Sequence, residues 1–293
     1  MRYSLTPSTA PLRESFPGIG DDLVTKVDAL EARIRAFPNA ALAFSGGVDS
    51  TFLAWVSARV LGTDGVLLVT SISETYPQFE RDDAAKLSTH LGLRQVVIHT
   101  EELGIPGFKH NPSDRCYHCK KELFSKIKVL AGQQGFGFVF EGGIADDLGD
   151  FRPGRKAIAE LGIASPLCDA GITKDEIRRM SALVSLPTAT KPSFACLASR
   201  FPYGEEITLS KLTRVESAEA AIRALGFTQF RVRSHGDAAR IELAAEEMDR
   251  GWQKRSELDA ACRQGGFVYV SLDLRGYRTG AMNEAIGKGR SQS

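Results

Sequence analysis

Nowhere in this chain do about 18 apolar side chains follow one another, which excludes a hydrophobic helix long enough to cross a bilayer. Charge of one sign is missing too. The 37 Lys and Arg nearly balance the 36 Asp and Glu, for a formal net charge of +1. Composition therefore gives no general attraction to nucleic acid, and only local basic patches remain. Cysteine is scarce, and its count of five is odd. With no signal peptide expected, that pattern suggests reduced thiols, metal ligands or catalysis and not a disulfide framework. Met1 to Gly20 has no apolar core and carries Pro7, Pro11 and Pro17, so we expect a loose tail over residues 1–20 and a cytoplasmic protein. Internal repeats and low-complexity segments are absent.

What is present is an alternation of strands and helices. "AALAFS" reads as a buried strand and Val48 to Leu61 as the helix that leaves it. "GVLLVTS", "RQVVIHT" and "GFVFEGG" follow as further strands, with a helix through "FERDDAAKLSTHLG" between the first two. Near-continuous apolar strands of this kind predict a parallel sheet covered on both faces, with ligands at the carboxyl ends of the strands. From about Ala189 the pattern changes. "SKLTRVESAEAAIRALGF" is an amphipathic helix, "FRVRSHG" and "ARIEL" are alternating strands, and another helix and the strand "GFVYVSLDL" follow. We therefore expect an α/β domain over 21–188, joined through "LPTATKPS" to a smaller α+β domain over 189–293.

The most informative short string is Ser45-Gly46-Gly47-Val48-Asp49-Ser50, between a strand and a helix. Small residues let backbone N–H groups approach an anion, and the helix adds its positive N-terminal end. The string is neither a Walker A loop, since the lysine of that motif is missing, nor a GxGxxG fingerprint. Two adjacent glycines alone would also serve a plain tight turn. The whole string resembles the pyrophosphate loop of the PP-loop ATP pyrophosphatases. That resemblance implies chemistry at the α-phosphorus of ATP, with Mg²⁺ neutralising the charge that develops. It further implies ATP contacts at Ser45, Gly46, Gly47, Asp49, Ser50, Ser71 and Gly142, catalytic roles for Asp49 and Lys174, and Asp146 and Asp147 near Mg²⁺ or the substrate.

Cys116 and Cys119 form a C-x-x-C in "DRCYHCKK", and Cys196 stands in "KPSFACLASRFPYG". Alone, such a pair serves zinc, redox chemistry or neither, but no second C-x-x-C or H-x-H completes a zinc set. Three thiolates suit an iron–sulfur cluster with one iron left open. With "AFSGGVDST", "RCYHCK", "DDLGDFRPGRKA", "RVRSHGDAARIE" and "SLDLRGYRTGAMNE", the chain resembles the LarE family from about Asp21 onward. These are ATP-dependent sulfur transferases that build the nickel-pincer nucleotide cofactor.

The resemblance implies adenylation of a carboxylate of pyridinium biscarboxylic acid mononucleotide, release of pyrophosphate, and displacement of AMP by sulfur. Cys196 handles the sulfur, and Cys116, Cys119 and Cys196 together imply a [4Fe–4S] cluster. Cys168 and Cys262 match no part of the pattern and read as structural. Arg231 and Arg233 alternate on one strand face, and the match implies that they hold the substrate's phosphate; Arg200 and the arginines of "FRPGRK" are further candidates. The family's usual "DGTNADD" reads "EGGIADD" here, and Ala164 stands where arginine is common. Gly143, Ile144 and Ala164 therefore leave substrate choice open. The rival readings are a tRNA thiolase, an amide-forming ATP pyrophosphatase and a nucleotide-sensing protein. Expected partners are a small-molecule nucleotide and further copies of the chain, without membrane or nucleic acid. An upstream carboxylase and a downstream nickel-inserting enzyme are expected around it.

Overall fold

The computed structural model describes residues 10–149, 153–278 and 280–281. Residues 1–9 of the expected tail, Arg152 of "FRPGRK" and the end of "SLDLRGYRTGAMNE" lie outside them. In chain order the main elements are α1 (Asp21–Arg35), β1 (Ala40–Ala43), α2 (Val48–Leu61), β2 (Val66–Ile72), α3 (Gln78–Leu91), β3 (Arg94–His99), α4 (Arg115–Gln133) and β4 (Val139–Phe140). After these come α5 (Gly154–Glu160), α6 (Pro166–Asp169), α7 (Lys174–Leu183), α8 (Leu209–Ala224), β5 (Phe230–His235), β6 (Ala238–Leu243), α9 (Met248–Gln253), α10 (Arg255–Gln264) and β7 (Tyr269–Leu272). Among the described residues no helix is long and apolar enough to cross a membrane.

The chain divides into two compact units, the first formed by Met1–Ser73, Gln78–Thr100 and Cys116–Lys191 and the second by Glu74–Pro77, Glu101–Arg115 and Pro192–Ser293. In the first, four parallel strands lie in the order β3-β2-β1-β4, with Ala40 beside Val66 and Ala41 beside Val139. Ala40, Leu42, Val66 and Leu68 point to one face, packed with α1, α2 and α7 side chains such as Leu30, Phe52 and Ile177. Ala41, Leu67 and Val69 point to the other and meet Phe124 and Ile127 of α4 and Ile158 of α5. Burial on both faces is why these strands lack an apolar–polar alternation. Within the stretch expected as a tail, Leu12 and Phe16 are buried, and the Phe16 ring lies 6.0 Å from Phe52 and 5.8 Å from Trp55.

The order matters for function. From β1 the chain winds outward through β2 to β3, and β4 then pairs on the opposite side of β1. The crevice between the carboxyl ends of β1 and β4 is the point where such a sheet leaves room for a ligand. The second unit has a three-stranded sheet, β5-β6-β7, antiparallel between β5 and β6 and parallel between β6 and β7. Val215 and Ile222 of α8, Val232 of β5, Ile241 of β6 and Leu258 of α10 are buried. The α/β class with a smaller C-terminal α+β part is thus as the sequence predicts.

Candidate functional site

The glycine turn occupies that crevice. Gly46 has φ +66°, a left-handed conformation that glycine adopts without strain. A Cβ on Gly46 would stand 3.0 Å from the Ala84 Cα, so backbone packs where a side chain would go. Gly47 is the N-cap of α2 and, as glycine, brings no side chain to cap that helix. The turn is tied internally: Ser50 Oγ donates to the Gly47 carbonyl at 3.2 Å, and the Gly47 amide reaches Ser45 Oγ at 3.3 Å. From the neighbouring strand end, a Cβ on Gly142 would lie 3.3 Å from the Ser50 amide nitrogen. A concave backbone surface at an uncapped helix start is what an anion needs.

Charged groups converge on this turn. Lys174, the first residue of α7, is brought there by a capping box in which the Thr173 amide donates to Glu176 at 2.8 Å and the Glu176 amide to the Thr173 hydroxyl at 3.4 Å. The Lys174 Nζ donates to Asp49 at 2.6 Å, and its backbone amide donates to Asp146 at 2.7 Å. Burial pushes the Asp49 carboxyl above its ordinary range, against the opposing pull of Lys174, and the charge of Asp147 adds to the rise. Asp147 accepts from the Ile144 amide at 3.1 Å. Asp49, Lys174 and Asp146 are thus gathered at one place. Ser71, at the carboxyl end of β2, shares a 2.7 Å hydrogen bond with Thr100 beyond β3.

The unusual loop after β4 now has a physical explanation. A Cβ on Gly143 would run into a carboxylate oxygen of Glu141, which accepts from Ser165 at 2.6 Å and is paired with Lys120 at 3.4 Å. The longer acid folds back over position 143, so a side chain there would have to push the Glu141 carboxylate off its Ser165 and Lys120 partners. Ile144 is buried in the core beneath, and the Ala164 amide and carbonyl extend the sheet edge by bonding Val139 and Glu141.

Cys116 is exposed and Cys119 half-buried, both in the first turns of α4 and three residues apart, which puts them on one helix face. They belong to the first unit; Cys196 belongs to the second and is exposed at the start of a 3-10 turn over Leu197–Arg200. Cys262 is buried and its thiol is pushed up to about 12 by that burial, while burial also raises Cys168. Among the described residues no group of three or more His, Cys, Asp or Glu stands ready to hold a metal ion.

The three arginines expected to meet a phosphate all reach the segment around Cys196. Arg200 is fully buried and bidentate to Glu219 at 2.8 and 2.9 Å, with further donors on the Ala195 carbonyl at 2.7 Å and the Cys196 carbonyl at 3.2 Å. Arg233 pairs with buried Glu242 at 2.8 Å and donates to the Ser199 carbonyl at 2.7 Å. Arg231 donates to the Ser193 carbonyl at 2.6 Å and lies over the rings of Phe194 and Tyr277, at 5.2 and 4.9 Å. Among the described residues it has no carboxylate ion pair, and burial together with the charge of Arg200 pushes it down to about 10. The Arg200 guanidinium is enclosed and each of its three nitrogens has an acceptor, so Arg200 braces the Cys196 turn.

Sequence reasoning missed Lys191, Glu219 and Glu242. For Glu219 a signal existed: it falls four residues after Val215 and three before Ile222, on the apolar stripe of α8, where a carboxylate needs a partner. Lys191 donates to the Gly46 carbonyl at 3.2 Å and carried no such mark.

No family model matches the chain. It is 35% identical over 266 residues to pyridinium-3,5-bisthiocarboxylic acid mononucleotide synthase of Lactiplantibacillus plantarum, covering 91% of this chain and 96% of that protein. It is 42% identical over 268 residues to an uncharacterized protein of Synechocystis, covering 91% of this chain and all of that one. An uncharacterized protein of Methanocaldococcus jannaschii is 28% identical over 239 residues, 81% of this chain and 90% of its own.

Proposed function

The chain belongs to the LarE family, that of the pyridinium-3,5-bisthiocarboxylic acid mononucleotide synthase, and from that premise we propose that it is an ATP-dependent sulfur transferase of nickel-pincer cofactor biosynthesis. A carboxylate oxygen of pyridinium biscarboxylic acid mononucleotide bonds to the α-phosphorus of ATP as the bond to pyrophosphate breaks. Sulfur then attacks the acyl carbon, AMP leaves, and a thiocarboxylate remains. The observation that carries this reading is the uncapped start of α2 at the positive-φ Gly46, with the Asp49–Lys174 pair beside it.

Each residue then has a task. The backbone around Ser45, Gly46, Gly47 and Ser50 receives the outer phosphates, and Lys174, aimed by Asp49, supplies a cation. Ser71 and Gly142 border the adenosine at the strand ends. Asp146 and Asp147, each oriented by a backbone amide, would hold Mg²⁺, which when bound neutralises phosphate charge. Arg231, with no carboxylate ion pair among the described residues, is the first choice for the substrate's phosphate, with Arg233 beside it on the strand. Thiols one helical turn apart at Cys116 and Cys119 fit cluster ligation, and with Cys196 they would hold the [4Fe–4S] cluster, which when bound supplies sulfur. Arg200 and Glu219 keep the Cys196 turn in place. In this reading the protein works in the cytoplasm as a homo-oligomer, after a carboxylase and before a nickel-inserting enzyme.

Turnover with ATP, Mg²⁺ and the pyridinium substrate tests the reading. We expect one AMP and one pyrophosphate for each thiocarboxylate formed; ADP, or no nucleotide cleavage, would overturn it. Anaerobically purified protein should be brown and Cys116→Ala colourless, whereas bound zinc in place of iron would overturn the cluster assignment.

A further inference from the structure

The glycine turn has no lysine in its own motif, yet the fold delivers one from far along the chain. Lys191 Nζ donates to the Gly46 carbonyl at 3.2 Å and pairs with Glu80 at 2.8 Å and Asp83 at 2.9 Å, both on α3. Its side chain is only 15% exposed. The same helix face carries Ala84, against which the Gly46 Cα is packed. One face of α3 therefore backs the turn directly and also holds the ammonium that grips the turn's carbonyl.

We infer that Lys191 is the positioning residue of the phosphate cradle. In a trans peptide the C=O of one residue and the N–H of the next point opposite ways. Holding the Gly46 carbonyl therefore fixes the direction of the Gly47 amide, at the N-cap of α2. The ammonium also offsets a carbonyl dipole that would otherwise weaken an anion's attraction to the turn. Lys174 acts through Asp49 and α7, so the turn is steadied by two lysines from different segments, 17 residues apart in sequence by their numbers. This inference rests on the reading that the turn takes the outer phosphates of ATP.

Equilibrium binding of inorganic pyrophosphate, MgATP and AMP separates positioning from general damage. Lys191→Met should weaken pyrophosphate and MgATP by about tenfold, the loss of one charge-assisted hydrogen bond, and leave AMP within about twofold. Lys191→Arg should recover part of the loss. Because Lys191→Met removes the cation beside two acids, the same measurement is made on Glu80→Gln/Asp83→Asn/Lys191→Met, whose local charges balance. The inference predicts the same selective loss there. Unchanged pyrophosphate affinity in either folded variant, or an equal loss for AMP, would overturn it. Wild-type protein that binds neither pyrophosphate nor MgATP would instead overturn the ATP reading itself.

Discussion

Glu219→Gln is the sharpest probe of how the Cys196 turn is held. Glu219 accepts from Arg200 Nε at 2.8 Å, from Arg200 Nη2 at 2.9 Å and from the Val232 amide at 3.0 Å. Both side chains are enclosed, with Arg200 at 0% and Glu219 at 3% exposure. Glutamine keeps the volume and one acceptor but removes the charge, leaving an enclosed guanidinium without its counter-ion. Breaking a buried pair from one side costs about 3–5 kcal/mol, a large part of a total of about 5–15 kcal/mol. At roughly 2–4 °C per kcal/mol, the melting temperature should fall by about 10 °C. Calorimetry and urea unfolding at neutral pH measure it, and hydrogen exchange at the Val232 amide localises it. Arg200→Met/Glu219→Leu should cost less than its two single changes added, by about 1–3 kcal/mol. Burial pushes the Glu219 carboxyl up, but the charge and hydrogen bonds of Arg200 outweigh it, and the group lies below its ordinary value. Its stabilisation is therefore full above the ordinary glutamate range and is lost as pH falls through the depressed value. The gap between wild type and Glu219→Gln should narrow on the acid side. A fall below about 2 °C at neutral pH, or a gap that widens in acid, would refute the reasoning.

Other perturbations test the first unit. Gly46→Ala forces a side chain into a left-handed backbone and against the Ala84 Cα, so MgATP affinity should drop by at least about tenfold while AMP is spared, as equilibrium dialysis would show. Gly143→Thr should destabilise by about 1–3 kcal/mol through its clash with Glu141, and Glu141→Asp/Gly143→Thr should regain most of that in urea melts. Thr173→Ala removes the capping box that presents Lys174 and should cost about 1 kcal/mol, read by thermal unfolding.

Much of the fold was legible in sequence because its signals are local. The apolar strands and the glycine pair each lie within about a dozen residues, and the helix expected over Val48 to Leu61 has those bounds in the structure. The C-x-x-C spacing likewise settled that Cys116 and Cys119 share a helix face once α4 formed around them. Tertiary structure alone decided which charges meet. Arg231 and Arg233 share a strand face as the alternation requires, but only the pairing of β5 with β6 sets Glu242 on that same face, across from Arg231, and turns Arg233 into half of a buried pair. Lys191 reaches Gly46, and Glu141 closes over Gly143, because separate elements happen to bring long polar side chains to one spot. Periodicity records which side of an element is apolar. It carries no record of which distant carboxylate, carbonyl or ammonium stands across the gap, and desolvation makes those meetings decide both stability and the shape of the turns.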